Sequence, residues 1–491
     1  MKPFIEDKDN SLSVPLYIQL YRHIKDEILT GGLTVGERLP SLRQIADESG
    51  LSVTTTGLAY EQLLTEGYIK SKPKSGYYVS EIPTKAIKVE ARSQDANAPN
   101  DDETGSASEH PSASPEMQDY LPDKEAFLSD PATFDFLKWK KCSARVFNEF
   151  ADTLLFESDV QGEAALRFEI CKYLYSSRGV AASPEQVVIG AGTQQLTAHL
   201  ARMLTLMGID LVCTEDPGYL PIQNVFRDRG FSIAKIPVSE SGIAIDKLPV
   251  NIRTAVYVSP ANQFPTGSVM PIGSRYELLE WAAANGSIIL EDDYDSELRY
   301  SGKPVPALQG LDSHDSVVYL GSFSSTLFPA IKISYMILPP HMATLFGSIK
   351  SDYTQTCSKA EQLTLALFME DGYYYTNIKK LRNLLAQKME VAVDAFEKYG
   401  SGFVETSNTK SGINLTLSVT SASSAEELCQ IGKNLKLQIS PLSAGTPKSN
   451  KKKDLIFYFN QIPLEQIDAS IAKLIAAWQT VSKKNSASLT R

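Results

Sequence analysis

A chain of 491 residues is too long for one ordinary domain and leaves room for two or three. With 43% hydrophobic and 22% charged residues, no apolar run long enough to span a bilayer and no signal-peptide core in its first residues, a globular, cytoplasmic protein without membrane contact is expected. The net charge of −10 excludes a protein that coats nucleic acid along its whole length, but leaves room for a small basic reading surface at one end.

Residues 12–80 are compact and patterned. Leu16, Leu20, Ile24 and Ile28 recur at four-residue steps with Tyr17 and Tyr21 beside them, which predicts one face of a helix ending at Gly31-Gly32. Ser41 as N-cap with Gln44 at capping-box spacing predicts a second, short helix broken at Gly50. Ser52 can cap a third that carries Leu58, Leu63 and Leu64. Gly67-Tyr68-Ile69 then leads into Lys70, Lys72 and Lys74, and Gly76-Tyr77-Tyr78-Val79 follows, so two short strands around Pro73–Gly76 would form a basic wing.

Two short helices joined through a Gly-containing turn form the helix-turn-helix pattern, whose second helix places its N-terminal residues in the major groove. Here those residues are Ser52, Val53, Thr54, Thr55 and Thr56, and with Arg38, Ser41, Arg43 and the wing lysines they form the candidate DNA surface. Any small three-helix unit with ordinary caps would show much of the same pattern. The strings Pro15-Leu16-Tyr17, Leu39-Pro40-Ser41-Leu42-Arg43, Glu66-Gly67-Tyr68-Ile69 and Ser75-Gly76-Tyr77-Tyr78-Val79 resemble the winged domain of the GntR regulators. That resemblance implies DNA contacts for Arg43 and Thr54. Val53 stands where the family usually has arginine, which changes the operator read rather than the ability to bind DNA.

Residues 81–118 are rich in Ala, Ser, Pro, Asn, Asp and Glu and read as a disordered linker, because such a stretch buries too little apolar surface to offset its ordering entropy. From 119 to 485, Val- and Ile-rich runs precede polar loops. The runs end at Ile189, Thr214, Val258, Leu290 and Leu320, and helical stretches such as Arg275–Ala284 lie between some of them. This predicts an α/β domain with a mainly parallel sheet, whose ligands sit beyond the C-terminal strand ends.

The distinctive polar clusters all fall there. Gly192-Thr193-Gln194 opens a helix and could hold a phosphate. Tyr219 could stack on a ring and Asp292 could pair with a protonated ring nitrogen. Tyr294 and Asn262 could bond a ring hydroxyl, and Ser322 and Ser324 phosphate oxygens. Each residue alone is more readily a satisfied loop residue than a ligand contact.

Their order, with Glu215-Asp216-Pro217-Gly218-Tyr219, Gln263–Gly267, Glu291–Tyr300 and the run from Gly321 to Pro339, resembles the fold-type I aminotransferases. It resembles most closely the MocR-type subfamily, which joins that domain to a GntR-type winged helix. The resemblance implies a pyridoxal 5′-phosphate (PLP) site, a smaller C-terminal α+β subdomain and a homodimer. It also implies a head-to-tail arrangement, with the winged domain of one chain over the large domain of the other. Two half-sites in the operator follow from that arrangement.

Two departures matter. The family's PLP-linking lysine is replaced by Ser325, and a hydroxyl cannot form an imine. Lys332, seven residues on, stands where the family usually has a phosphate-binding arginine and is read in that role, with a displaced linking lysine as the alternative. Between Ser401 and Thr490 there is no arginine for a substrate carboxylate, only the charge run of Lys448, Lys451, Lys452 and Lys453.

The expectation is therefore a DNA-binding regulator whose large domain senses PLP, a PLP–amino acid adduct or a related metabolite, held without a covalent bond and without turnover. An active PLP enzyme with an appended reader and a dimerising scaffold with an empty pocket are the alternatives. The odd count of five cysteines without a C-x-x-C pair points to free buried thiols, with no metal expected.

Overall fold

The computed structural model describes residues 15–72, 75–81, 128–300, 305–442 and 452–489. The linker read at 81–118 lies outside the described residues except for Glu81, as do Lys74, Lys448 and Lys451.

The N-terminal unit is a winged helix-turn-helix. Helix α1 (Leu16–Leu29) buries Leu20, Ile24 and Ile28. Helix α2 (Leu42–Ser49) is capped by Ser41, whose side chain accepts from the Gln44 N–H at 3.3 Å. The Gln44 side chain turns to Glu48 instead of reaching back, so only half of the expected capping box forms. Gly50 ends the helix in the left-handed region. Ser52 caps α3 (Val53–Thr65), accepting from Thr55 N–H at 3.0 Å. Strands β1 (Ile69–Lys72) and β2 (Gly76–Val79) pair antiparallel as the wing.

The large domain opens with α4 (Phe136–Glu149) and α5 (Ala164–Arg178). Strands and helices then alternate through β3 (Val187–Gly190), α6 (Thr193–Leu206), β4 (Leu211–Asp216), α7 (Leu220–Asp228), β5 (Ser232–Ser239) and β6 (Gly242–Ile243). They continue through β7 (Ala255–Val258), α8 (Ile272–Asn285), β8 (Ile288–Asp293), β9 (Val317–Ser322) and β10 (Ser334–Ile337). The eight strands are ordered β3-β10-β9-β8-β7-β4-β5-β6, and β9, β8, β7, β4 and β5 run parallel to one another. Strand β10 is antiparallel between β3 and β9, which sequence reading missed. Its four residues are all buried, and a short apolar run carries no sign of its direction.

Helices α9 (Pro340–Ile349), α10 (Lys359–Glu370) and the long α11 (Tyr373–Gly400) lead to a smaller α+β unit. There β11 (Val404–Ser407), β12 (Asn414–Thr420), β13 (Ile439–Pro441) and β14 (Lys452–Tyr458) form an antiparallel sheet ordered β11-β12-β14-β13. It is packed by α12 (Ala425–Asn434) and α13 (Ile467–Leu489), with Trp478 fully buried between them and the sheet.

The winged unit rests on the large domain. Its buried residues Leu63, Tyr68 and Ile69 belong to one apolar cluster with Met270, Ile272 and Tyr276 at the start of α8. Among the described residues, no helix is long and apolar enough to cross a membrane. All five cysteines are free, but Cys171 and Cys429 are only half-buried.

Candidate functional site

On the winged unit, Arg38, Ser41, Arg43, Ser52, Thr54, Lys70 and Lys72 are exposed and Thr55 is half-buried. Lys72 Nζ lies 4.5 Å from the Tyr78 ring centroid, which steadies the wing cation. Thr56 does not belong to this surface. It is fully buried, and its hydroxyl lies 2.9 Å from the Val53 carbonyl and 3.2 Å from that of Leu42, tying α3 to α2. The Ser41 and Ser52 hydroxyl oxygens each accept one backbone N–H as helix caps, and both side chains stay exposed. A helix N-terminus with exposed polar residues and a flanking basic strand pair suits a major groove and its phosphates.

In the large domain, the candidate residues collect at one edge of the sheet, at the ends of β3, β4, β7, β8 and β9. Ser334 on β10 pairs with Gly190 on one side and Ser322 on the other, so the α6 N-terminus and the Ser322–Ser325 turn are neighbours. Gly192 enters α6 with φ of 92°, a conformation glycine adopts without strain. The first-turn N–H groups of Thr193 and Gln194 have no partner within their own helix and carry the positive end of its dipole. Ala191 N–H is already taken by Thr356 Oγ1 at 3.0 Å. Ser322 Oγ accepts from Ser334 Oγ at 3.0 Å and from Ser324 N–H at 3.3 Å. Ser325 is half-buried in the turn that follows.

Lys332 is exposed and holds a left-handed backbone with φ of 50°. Its carbonyl meets the Cys357 thiol at 3.9 Å, one residue from Thr356, which places it beside the same loop.

Strand β8 explains why its acidic string reads as it does. Successive side chains point to opposite faces. Glu291 accepts from the Leu308 and Gln309 N–H groups at 2.8 and 3.0 Å, and Asp293 pairs with Arg178 at 2.7 Å and with the Tyr319 hydroxyl at 2.7 Å. Asp292 points the other way and accepts from the Tyr257 hydroxyl. Burial pushes the Asp292 carboxyl up to about 7, and the Tyr257 bond opposes that.

Glu215, at the end of β4, is buried and pushed up to about 8, although it accepts from Gln263 at 3.2 Å and Ser259 N–H at 3.4 Å. Asn262 is committed differently from the sequence expectation. Its amide donates to both Asp295 oxygens at 2.8 and 2.9 Å, and its own oxygen accepts from Ser411 at 3.1 Å. The Tyr294 hydroxyl donates to the Asn262 carbonyl at 3.0 Å. Tyr219 is 40% exposed and meets Phe264 edge-on.

Sequence reading gave no role in the site to Tyr257, Gln263, Asp295 or Arg178, although the last three fall in or beside its motifs. Tyr257 alternates with inward-facing neighbours on β7, but nothing local says that a tyrosine hydroxyl meets an acid on the next strand.

A cleft beside Tyr219 is lined by Pro217, Phe264, Ser440, Leu442, Ile456 and Tyr458, and no described lining residue is charged. The residues fit a phosphorylated pyridine: a buried acid for a ring nitrogen, a helix N-terminus with serines for a phosphate, and an aromatic side chain at the mouth. They do not fit a covalent link at position 325, where the side chain is a hydroxyl.

Residues 16–79 match the profile of bacterial regulatory proteins of the gntR family, and residues 129–440 match aminotransferase class I and II. The chain is 36% identical to the uncharacterized HTH-type transcriptional regulator YdeL of Bacillus subtilis, over 97% of this chain and 99% of that protein. It is 33% identical to the probable rhizopine catabolism regulatory protein MocR of Rhizobium meliloti, over 89% and 88% of the two chains. Among solved structures, it resembles the multiple substrate aminotransferase of Thermococcus profundus with a TM-score of 0.63 and 25% identity, over 73% of this chain and 91% of that one.

Proposed function

The chain belongs to the MocR-type branch of the gntR family, DNA-binding transcriptional regulators with an aminotransferase-like domain, and from that premise we propose that its large domain is a sensor without turnover. The sensed ligand is PLP or a preformed PLP adduct, held without a covalent bond. The observation that carries this reading is the pairing of a buried acid at Asp292 with a hydroxyl at Ser325. When bound, PLP would offer an electron-withdrawing ring. Chemistry on an amino acid further needs a basic side chain to take up and return a proton, and Ser325 is a poor one. Asp292 would hold the ring nitrogen. Thr193, Gln194, Ser322, Ser324 and Lys332 would hold the phosphate, and Tyr219 would cover the ring. Asn262 and Tyr294 would shape the wall through their bonds with Asp295 and each other.

DNA would be read by Arg38, Arg43, Thr54, Thr55 and the wing lysines. The large domain is also the dimerisation unit in this reading. Leu137, Phe147, Leu155, Phe156, Phe168 and Tyr175 are 57–80% exposed around α4, the turn after it and α5, an apolar load expected to be covered by a second copy. The head-to-tail arrangement belongs to the same proposal.

The test is a titration of the full-length chain with PLP, read as melting temperature and, after borohydride treatment, as intact mass. Stabilisation with an unmodified mass supports a sensed, non-covalent ligand. A reduced covalent adduct on Lys332 would restore the enzyme reading, and absence of stabilisation would leave the pocket without PLP.

A further inference from the structure

We infer that the C-terminal end of the recognition helix α3, docked on the N-terminus of α8, is the junction through which the pocket is read by the DNA-binding unit; this rests on the sensor reading above. Helix α3 ends at Thr65, and the carbonyl of its cap residue Glu66 accepts from the N–H of Ile272 at 2.6 Å. Ile272 is the first residue of α8, so its N–H has no partner within its own helix. The negative end of one helix thus caps the positive end of another. The approach is close enough to require glycine at the next position. Gly67 has φ of 79°, and a Cβ there would lie 3.0 Å from the Ile272 nitrogen and 3.2 Å from Pro271 Cβ.

The Glu66 side chain is held rigidly on the winged side. Its carboxylate accepts from Tyr21 at 2.6 Å and Gln62 at 2.5 Å, with Lys25 at 4.0 Å. Its charge acts on Arg275 in the first turn of α8 and on Arg299, which also feels Glu61 of α3.

The pocket reaches the same point through a short, pinned loop. Pro260 precedes Asn262 by two residues, and its carbonyl accepts from Met270 N–H at 2.9 Å and from Arg275 at 2.8 Å. Arg275 also donates to the Met270 carbonyl at 2.8 Å. Gln263 and Gly267 close the loop internally, through Gln263 N–H to Ser268 O at 2.9 Å and Gly267 N–H to Gln263 O at 2.7 Å. Asn262 at one end and Ile272 at the other therefore belong to one hydrogen-bonded body, with Arg275 as its positioning residue. A ligand that orders the pocket wall then orders the platform on which α3 ends. The N-terminal end of α3 stays exposed in this arrangement, so docking and DNA reading are compatible.

Hydrogen exchange of the full-length chain with and without PLP tests this. In the wild type, PLP is expected to slow exchange by about fivefold or more in peptides covering Gln62–Ile69, the low end of known site-to-site couplings. In Gly67→Ala, pocket peptides covering Val187–Leu196 and Ile288–Tyr294 should still slow, while the Gln62–Ile69 response disappears. Ile272→Pro checks the same contact from the large domain, because proline is well accepted at a helix's first position and removes only the donor and the Ile side chain. Equal slowing of Gln62–Ile69 in both variants and the wild type, or none in a wild type whose pocket peptides respond, overturns the junction. Pocket peptides that ignore PLP in the wild type overturn the sensor reading itself, and the junction with it.

Discussion

The hydroxyl of Tyr257 donates to Oδ2 of Asp292, and both side chains are buried. The bond favours the ionised carboxyl, while burial, the larger effect, holds it up to about 7. A protonated Asp292 must lose its proton before it can pair as an anion with a protonated ring nitrogen. PLP stabilisation is therefore expected to weaken as pH falls through about 7. In Tyr257→Phe that fall should move to higher pH, measured as PLP-induced melting shifts across a pH series. An unmoved profile would mean that Asp292 does not hold the ring.

Asp292→Asn should remove the charge partner outright and weaken apparent PLP affinity by about tenfold or more, since a charge-assisted bond contributes about 1.5–3 kcal/mol. Calorimetric titration reads this directly. Ser325→Lys is the converse test. If position 325 faces the ring as the family likeness implies, borohydride should then fix PLP to the chain, detected as a mass increase on a peptide containing residue 325.

Glu215 sets a pH dependence of stability that needs no ligand. Its folded carboxyl is pushed up to about 8, above an unfolded value near 4.3, so the folded state holds the extra proton between those values. The unfolded state binds fewer protons there, and stability must fall as pH rises through that window, by up to about 1.4 kcal/mol per pH unit. Glu215→Gln should flatten the fall in urea-unfolding midpoints between pH 5 and pH 8.

Arg43 and Thr56 should separate cleanly. Arg43→Ala is expected to weaken operator binding by about 1–3 kcal/mol while leaving the melting temperature unchanged. Thr56→Ala should instead cost about 1 kcal/mol of stability, because its hydroxyl serves the α2–α3 packing. Electrophoretic mobility shifts beside thermal melts distinguish the two.

The apolar load around α4 and α5 predicts association. Phe156→Asp, at a side chain 72% exposed, should shift the chain toward monomer in sedimentation velocity if that face is covered by a second copy.

What the sequence made legible was local. Caps at Ser41 and Ser52, the two wing strands, the glycine entry to α6 and the parallel strands with their polar ends all rest on neighbours a few residues apart. The sequence places Thr56 among the N-terminal residues of α3, but two residues on from Thr54 is about 200° around a helix, and that turns its hydroxyl inward to the Leu42 carbonyl of α2. The sequence points Asn262 at a ligand because its partners Asp295 and Ser411, 33 and 149 residues away, lie beyond any local pattern. The antiparallel β10 and the seat of the winged unit on α8 likewise depend on contacts between distant segments, which no periodicity records.

The seat at Glu66 and Ile272 also separates orientation from tether. The angle at which α3 presents itself is fixed by a surface contact, not by the covalent path between Glu81 and Leu128. On the junction proposed above, residues could be added to or removed from that path without turning the reading head.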